Sequence, residues 1–306
     1  MQNRHFLQST NFLGFVACLL WSTAFVGIKI GMNYHTPIPF AGVRFALAGF
    51  FLFLYYGNKK EYFAQVRQNW RFLVLMTFVQ TVLQYVFFYT GINMLPASIA
   101  ALIVGASPLF AAVLSHLLMS NDKMTLRKLL SLLIGFVGVA IISFAKESHD
   151  SSERVSILGV FILLLNGLVA GYSNVLVAKN KSDLNPIVLG SSTLFSGGVL
   201  LALGSWVVQG NTLTNPTPEY WIALLWLSSL SAVAFAIWYS LLRRPTVKVS
   251  ELNMWKFVVP VGGAILSWLI LPEEKPQWAA IVGMLLIALS LLTQGGVGLA
   301  RLFGKK

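Results

Sequence analysis

The chain has 306 residues, of which 57% are hydrophobic and only 10% charged, and its mean hydropathy is +0.74. A water-soluble domain carries about 25% charged residues, so the composition excludes an ordinary soluble enzyme and fits a polytopic membrane protein. The formal net charge of +12 would suggest nucleic acid, but the basic residues fall in loops rather than along one stripe, and a lipid bilayer explains them better.

Taken in chain order, the apolar runs cover residues 12–32, 37–57, 70–92, 96–118, 125–145, 156–178, 186–208, 220–242, 249–271 and 277–294. Each is continuous, as in a membrane helix, rather than alternating as in a membrane barrel. Ten such spans leave short loops and no room for a separate soluble domain. The first run carries Trp21 and Lys29 and no small-residue cleavage site follows it, so it reads as a retained span and not a signal peptide. A single cysteine, Cys18, lies in that run, which leaves no disulfide framework and no paired metal or redox motif.

Basic residues give the sidedness. Alternate loops and both termini hold Arg4; Lys59, Lys60, Arg67 and Arg71; Lys123, Arg127 and Lys128; Lys179 and Lys181; Arg243, Arg244 and Lys248; and Arg301, Lys305 and Lys306. The loops between them hold only Lys146, Arg154 and Lys275, with Glu147, Asp150, Glu153, Glu219, Glu273 and Glu274. This bias predicts an even number of spans with both termini in the cytoplasm of a bacterial-type inner membrane. The Asn180-Lys-Ser sequon then falls on the inner face and is read as chance.

The chain also repeats itself. At an offset of 152, Pro108 meets Pro260, and Ala112/Ala264, Leu114/Leu266, Ser115/Ser267 and Leu117/Leu269 match without a gap. Ser98 meets Ser250, and Asp122-Lys123 meets Glu274-Lys275. Pro37 and Pro186 open the second span of each half. The unit is therefore five spans, residues 1–148 and 149–306. An odd number of crossings inverts the second copy relative to the first, the architecture of secondary transporters, whose sites lie near the midplane beside broken helices. Pro108 and Pro260 each remove one intrahelical hydrogen bond in mid-span.

The ordered set of Trp21-Ser22, Arg44-Phe45, Pro96-Ala97-Ser98-Ile99-Ala100, the two repeated prolines with their flanks, and Gly135, Gly138 and Gly283 resembles the EamA-type branch of the drug/metabolite transporter superfamily over essentially the whole chain. Two positions depart from the family pattern: Asn121-Asp122, where a glutamate is common, and Ser131, opposite Gly283. The resemblance implies an all-α membrane protein of ten transmembrane helices in two inverted repeats around a central cavity. It also implies passage of small metabolites, often amino acids or other polar solutes and frequently exported, by alternating access.

Polar side chains inside hydrocarbon are costly and so mark candidate sites. Span three carries Gln80 and Gln84 on one stripe with Thr77, Thr81 and Tyr85, and amides there can bind a carboxylate, an ammonium or a hydroxyl. Span six carries Asn166, Ser173 and Asn174 on one face. Span nine carries Asn253, Lys256 and Pro260, with Lys256 as a cavity ammonium or a snorkelling lysine. Glu251 is off the Lys256 face and pairs better with Lys248 or Arg243. Arg44 either anchors an outer gate or binds substrate, and Lys29 snorkels. Trp21, Phe25, Trp238 and Tyr239 are candidate aromatic walls. The four histidines, His5, His35, His116 and His149, are scattered and form no metal site.

The candidate solute-binding set is thus Trp21, Gln80, Gln84, Asn166, Asn174, Trp238, Asn253 and Lys256. Arg44, Pro108 and Pro260 form the gate and hinges. No metal and no cofactor is expected. An intramembrane enzyme would need a zinc or nucleophile motif or paired buried carboxylates, and none is present. A lipid or hydrophobic-drug carrier is the nearest rival, although the deep charges are mostly positive and disfavour cationic drugs. A receptor would need an output domain. Transport of a small polar solute bearing a carboxylate or similar group is the expected function. A proton couple usually needs a membrane-embedded carboxylate, and only Glu251, at a helix end, is offered, so exchange or facilitated diffusion is at least as well supported.

Overall fold

The computed structural model describes residues 9–95, 100, 103–145, 156–180, 182–270 and 278–294. Among them, regular structure is entirely helical. Six stretches are long and apolar enough to cross a membrane (37–55, 70–92, 126–143, 157–179, 186–209 and 218–242), and three more (10–24, 103–118 and 278–293) are apolar but shorter. The chain is an integral membrane protein.

Local sequence signals set the helix starts. α1 (Thr10–Met32) is capped by Ser9, whose Oγ accepts from the Phe12 amide at 3.2 Å. α2 (Pro37–Tyr55) opens on a proline, where the missing N–H has no partner to lose. The helix Pro186–Gln209 opens in the same way. The loop after α2 is not irregular: Lys59–Gln68 forms a helix, α3, capped by Asn58, whose Oδ1 accepts from Glu61 N at 3.2 Å. Lys59 turns back and its Nζ donates to the carbonyls of Phe53 and Tyr56, closing the end of α2.

The third span is α4 (Trp70–Met76), a π-helical stretch over Thr77–Leu83, and α5 (Gln84–Ile92). There follow α6 (Ser107–Leu118), α7 (Leu126–Ala145), α8 (Ile157–Lys179), α9 (Pro186–Gln209) and α10 (Pro218–Leu242). The ninth run is broken into α11 (Val249–Met254), a 3-10 turn over Trp255–Phe257, and α12 (Val258–Ile270); α13 is Trp278–Gln294.

The helices form two compact units, each assembled from both halves of the sequence repeat: residues 1–89 with 176–245, and 90–175 with 246–306. Lipid gives no hydrophobic drive between helices, so contact depends on small residues that let backbones approach. In the first unit α2 lies against α9, and a Cβ on Gly198 would sit 2.2 Å from the Ala46 nitrogen. In the second unit α7 lies against α13, and Cβ atoms on Gly138 and Gly283 would each meet the other's carbonyl, at 2.7 and 2.6 Å. Both contacts join helices that the repeat matches, the second with the seventh run and the fifth with the tenth.

Hydroxyls supplement this packing. In the first unit Ser191 Oγ donates to Gly49 O at 2.8 Å, Thr81 Oγ1 to Thr193 O at 3.2 Å, and Thr77 Oγ1 pairs with Ser196 Oγ at 2.8 Å. Phe40 of α2 packs with Tyr220, Leu224 and Leu227 of α10 in an apolar cluster of the same unit. The second unit's core is Leu132, Val139, Ile142, Met254, Phe257 and Ile287. The outward faces stay apolar, as Leu54, Ile222 and Leu285 show, and meet lipid.

Candidate solute-binding site

The first unit collects Trp21, Arg44, Gln80, Gln84 and Trp238. Arg44 is the eighth residue of α2, about 10 Å along the helix from Pro37, and it is 5% exposed. Its guanidinium lies over the Phe45 ring, 4.5 Å from the centroid. Among the described residues, no hydrogen-bond acceptor reaches its Nε or Nη1. Rings run on from there: Phe45 to Tyr85 at 4.3 Å, Phe45 to Phe235 at 6.4 Å, Phe235 to Trp21 at 5.6 Å, and Trp21 to Trp238 at 5.1 Å.

Gln80 and Gln84 find each other, Gln80 Nε2 donating to Gln84 Oε1 at 3.2 Å. Gln80 lies in the π-helical stretch, a geometry that recurs at functional sites. Its own carbonyl, Oε1, is buried with no hydrogen-bond partner among the described residues. The first unit therefore holds a buried cation with unused donors over Phe45, a linked series of rings, and, in the third span, an amide with an unused acceptor. A zwitterionic or carboxylate-bearing solute presents complementary groups.

The second unit collects Asn166, Asn174, Asn253 and Lys256. Asn174 Nδ2 donates to Asn253 Oδ1 at 2.8 Å, and Asn253 Nδ2 donates to Val249 O at 2.9 Å. Both side chains are buried. Asn253 is thus bonded within the protein through each of its polar atoms, tying α8 to α11. Asn166 Oδ1 is buried and has no partner among the described residues. Lys256 is half-buried in the 3-10 turn.

The two repeated prolines sit at interruptions. Pro260 cannot donate to the Lys256 carbonyl, which faces the Val258 amide instead, and the helix tightens into the 3-10 turn just before the proline. Pro108 lies in the first turn of α6, after a break at Ala106 where bonds close over three residues (Ala106 N to Ile103 O at 3.2 Å, Leu109 N to Ala106 O at 2.9 Å).

Asp122, a departure from the family pattern, proves structural. It is 1% exposed; its carboxylate accepts from Lys128 Nζ at 2.6 Å, from Ser250 Oγ at 2.5 Å and from Ser250 N at 2.8 Å, capping α11. Burial alone would push its pKa up, but these donors and the Lys128 charge hold it below the usual carboxylate value. Glu251 pairs with Lys248 at 3.3 Å, one of the two partners its spacing offers, and also with Lys128 at 3.6 Å. Arg243 instead donates to Ser182 O.

Sequence reasoning overlooked Phe235 and Tyr89, whose ring lies 6.3 Å from that of Tyr85, and marked Asp122 only as a departure from the family pattern. The Tyr85–Tyr89 spacing of one helical turn was a readable signal; the partner of Asp122 was not, because Ser250 is 128 residues away. His35 pairs with Tyr220 OH at 3.2 Å and burial lowers its pKa; His116 Nδ1 accepts from Met124 N at 3.1 Å. The side chains of Phe25, Lys29, Ser267 and Trp268, together with residues 96–99 and 273–275, His5 and His149, lie outside the described residues. Among the described residues no group of three or more His, Cys, Asp or Glu could hold a metal.

A helical membrane protein with buried, underused polar groups in its spans has the make-up of a transporter. The EamA-like transporter family matches the chain twice, over residues 8–144 and 157–293, and the chain belongs to that family. It is 23% identical to the uncharacterized transporter YvbV of Bacillus subtilis over 89% of this chain and 87% of that one. It is 27% identical to an S-adenosylmethionine/S-adenosylhomocysteine transporter of Chlamydia muridarum, over 87% of this chain and 85% of that one. A solved crystal structure shares the fold with a TM-score of 0.81 at 18% identity, covering 97% of this chain and 99% of the other.

Proposed function

We propose that the protein is a secondary transporter that moves small polar metabolites carrying a carboxylate, amino-acid-like or organic-acid-like, across the cytoplasmic membrane by export or exchange. In this reading ten helices form two inverted five-span repeats, both termini are cytoplasmic, and the solute crosses by alternating access. Arg44 carries the proposal. A guanidinium deep in a span, with two donors unused, is costly in the empty protein, and an arriving carboxylate would recover that cost. Gln80 Oε1 would take an ammonium or hydroxyl, Gln84 would hold Gln80 in place, and Trp21 and Trp238 would wall the solute. Lys256 and Asn166 offer a second set of polar groups, with Pro108 and Pro260 as hinges.

The relationship to an S-adenosylmethionine/S-adenosylhomocysteine transporter favours one variant of this reading. Such solutes join an α-amino carboxylate to a flat purine, which would suit a guanidinium beside indole rings. The test is counterflow into proteoliposomes loaded with pooled amino acids, organic acids or S-adenosylmethionine, read by mass spectrometry with labelled solute outside. One class should accumulate, and Arg44→Gln should lower the rate at least tenfold with Arg44→Lys retaining part of it. Wild-type rates in a folded Arg44→Gln variant would overturn the role of Arg44. No accumulation of any pool by folded wild-type protein would move the reading to a lipid or hydrophobic-drug carrier.

A further inference from the structure

Where α3 passes into α4 the first unit has a hollow of about 550 Å³. Arg67 and Arg71 line it from that turn, Lys179 lines it from the end of α8, and Asn69, Asn180 and Trp70 complete its polar and aromatic edge. The three cations are exposed, and among the described residues none of their side chains has a hydrogen bond or a carboxylate partner. Arg71 does lie over the Trp70 ring, 5.5 Å from its centroid. A bias of basic residues toward one face explains why these positions are basic. It does not explain why residues from two distant segments converge on one hollow, where their charges repel unless an anion sits between them.

The hollow's place narrows the anion. Trp70 is the first residue of one apolar span and Lys179 the last of another, so the hollow lies where both spans meet the water boundary. Along the third span from Trp70, Val74 and Leu75 of α4 and Phe78 of the π-helical stretch are turned outward, 48%, 43% and 53% exposed, in a span that lipid surrounds. Arginine matches phosphate oxygens with paired donors and an aromatic ring at this depth suits the interface. Basic pockets of this kind on the cytoplasmic side take acidic lipid head groups. We propose that this hollow binds the phosphate of an anionic phospholipid, phosphatidylglycerol or cardiolipin, with Arg67, Arg71 and Lys179 on the head group and the acyl chains along Val74, Leu75 and Phe78.

The test uses delipidated full-length protein in detergent and native mass spectrometry with added phosphatidylglycerol, cardiolipin or phosphatidylcholine, and separately with inorganic phosphate or glycerol 3-phosphate. The triple variant Arg67→Gln, Arg71→Gln, Lys179→Gln is compared with a charge-matched control, Lys60→Gln, Lys123→Gln, Lys248→Gln, whose positions do not line the hollow. Wild type and control should bind an anionic lipid at least tenfold more tightly than phosphatidylcholine, and the triple variant should lose that preference. Should the triple variant fail to fold, Arg71→Gln alone should weaken binding about fivefold, the effect of one surface charge. Equal losses in control and triple variant would overturn the site in favour of general surface charge. Phosphate or glycerol phosphate binding as tightly as lipid would overturn it in favour of a soluble anion, and no lipid preference in wild type would overturn it outright.

Discussion

Lys256 and Arg44 are both basic residues inside apolar runs, yet their surroundings separate their roles. Arg44 is buried with unused donors, whereas Lys256 is half-buried at a helix break. If Lys256 faces the solute, Lys256→Met should reduce uptake of an anionic solute at least tenfold in counterflow while the melting temperature stays unchanged. Normal uptake would assign Lys256 to the interface by snorkelling. Asp122 gives the opposite kind of prediction. Asp122→Asn removes the close, buried partner of Lys128 and leaves it only the more exposed Glu251 carboxylate at 3.6 Å, and this should cost about 3 kcal/mol of stability. The folded pKa of Asp122 lies below the unfolded value, so its stabilisation is complete above roughly pH 4 and is lost only as pH falls through the folded value. The melting difference between wild type and the variant should therefore be flat from pH 8 to pH 5. A difference that shrinks across that window would contradict the buried ion pair. The residue types of this site were legible because polar groups stand out in an apolar run. Their partners were not: which groups Asn253 bonds and which acceptors Arg44 lacks depend on helices far apart in sequence.

At the scale of elements the breaks matter more than the spans. Nine of the ten apolar runs carry a described helix whose start and end fall within two residues of the hydrophobic pattern, or pieces that together span the run. The pattern was less informative where the helix changes pitch. The π-helical stretch at Thr77–Leu83 has no sequence signature, and the 3-10 turn precedes Pro260 because a proline acts on the carbonyl four residues earlier. α3 was read as part of a loop although Asn58 and Glu61 form a capping pair three residues apart. Pro260→Ala restores a donor for the Lys256 carbonyl and should let α11 and α12 run on as one helix. If that bend serves as a hinge, the variant should bind solute with unchanged affinity but turn over several-fold more slowly, measured as separate KM and rate changes in counterflow. Unchanged turnover would leave the break with a structural role only. Gly198→Leu tests packing alone: with backbone atoms 2.2 Å from its Cβ position, α2 and α9 must part, and the melting temperature should fall by several degrees.

For the whole molecule, the repeat and the compact units divide the chain differently. The repeat was legible as two consecutive halves, because duplicated residues keep their order. The units interleave those halves, since a glycine contact joins each of two helices to its own repeat mate rather than to its sequence neighbour. Sidedness gives a sharp test of inversion. Gly57 follows the second span and Asn211 follows the seventh, its counterpart in the other half, and both are exposed. In the inverted reading five spans separate the two loops and put them on opposite faces, whereas a parallel duplication would put them on the same one. In a background with Cys18 replaced, a cysteine at position 57 should react with a membrane-impermeant maleimide only in inside-out vesicles, and one at position 211 only in intact cells. Labelling of both from one face would mean an even number of crossings between the matched loops. The repeat would then stand as a sequence fact, but the inverted architecture, and alternating access built on it, would fall.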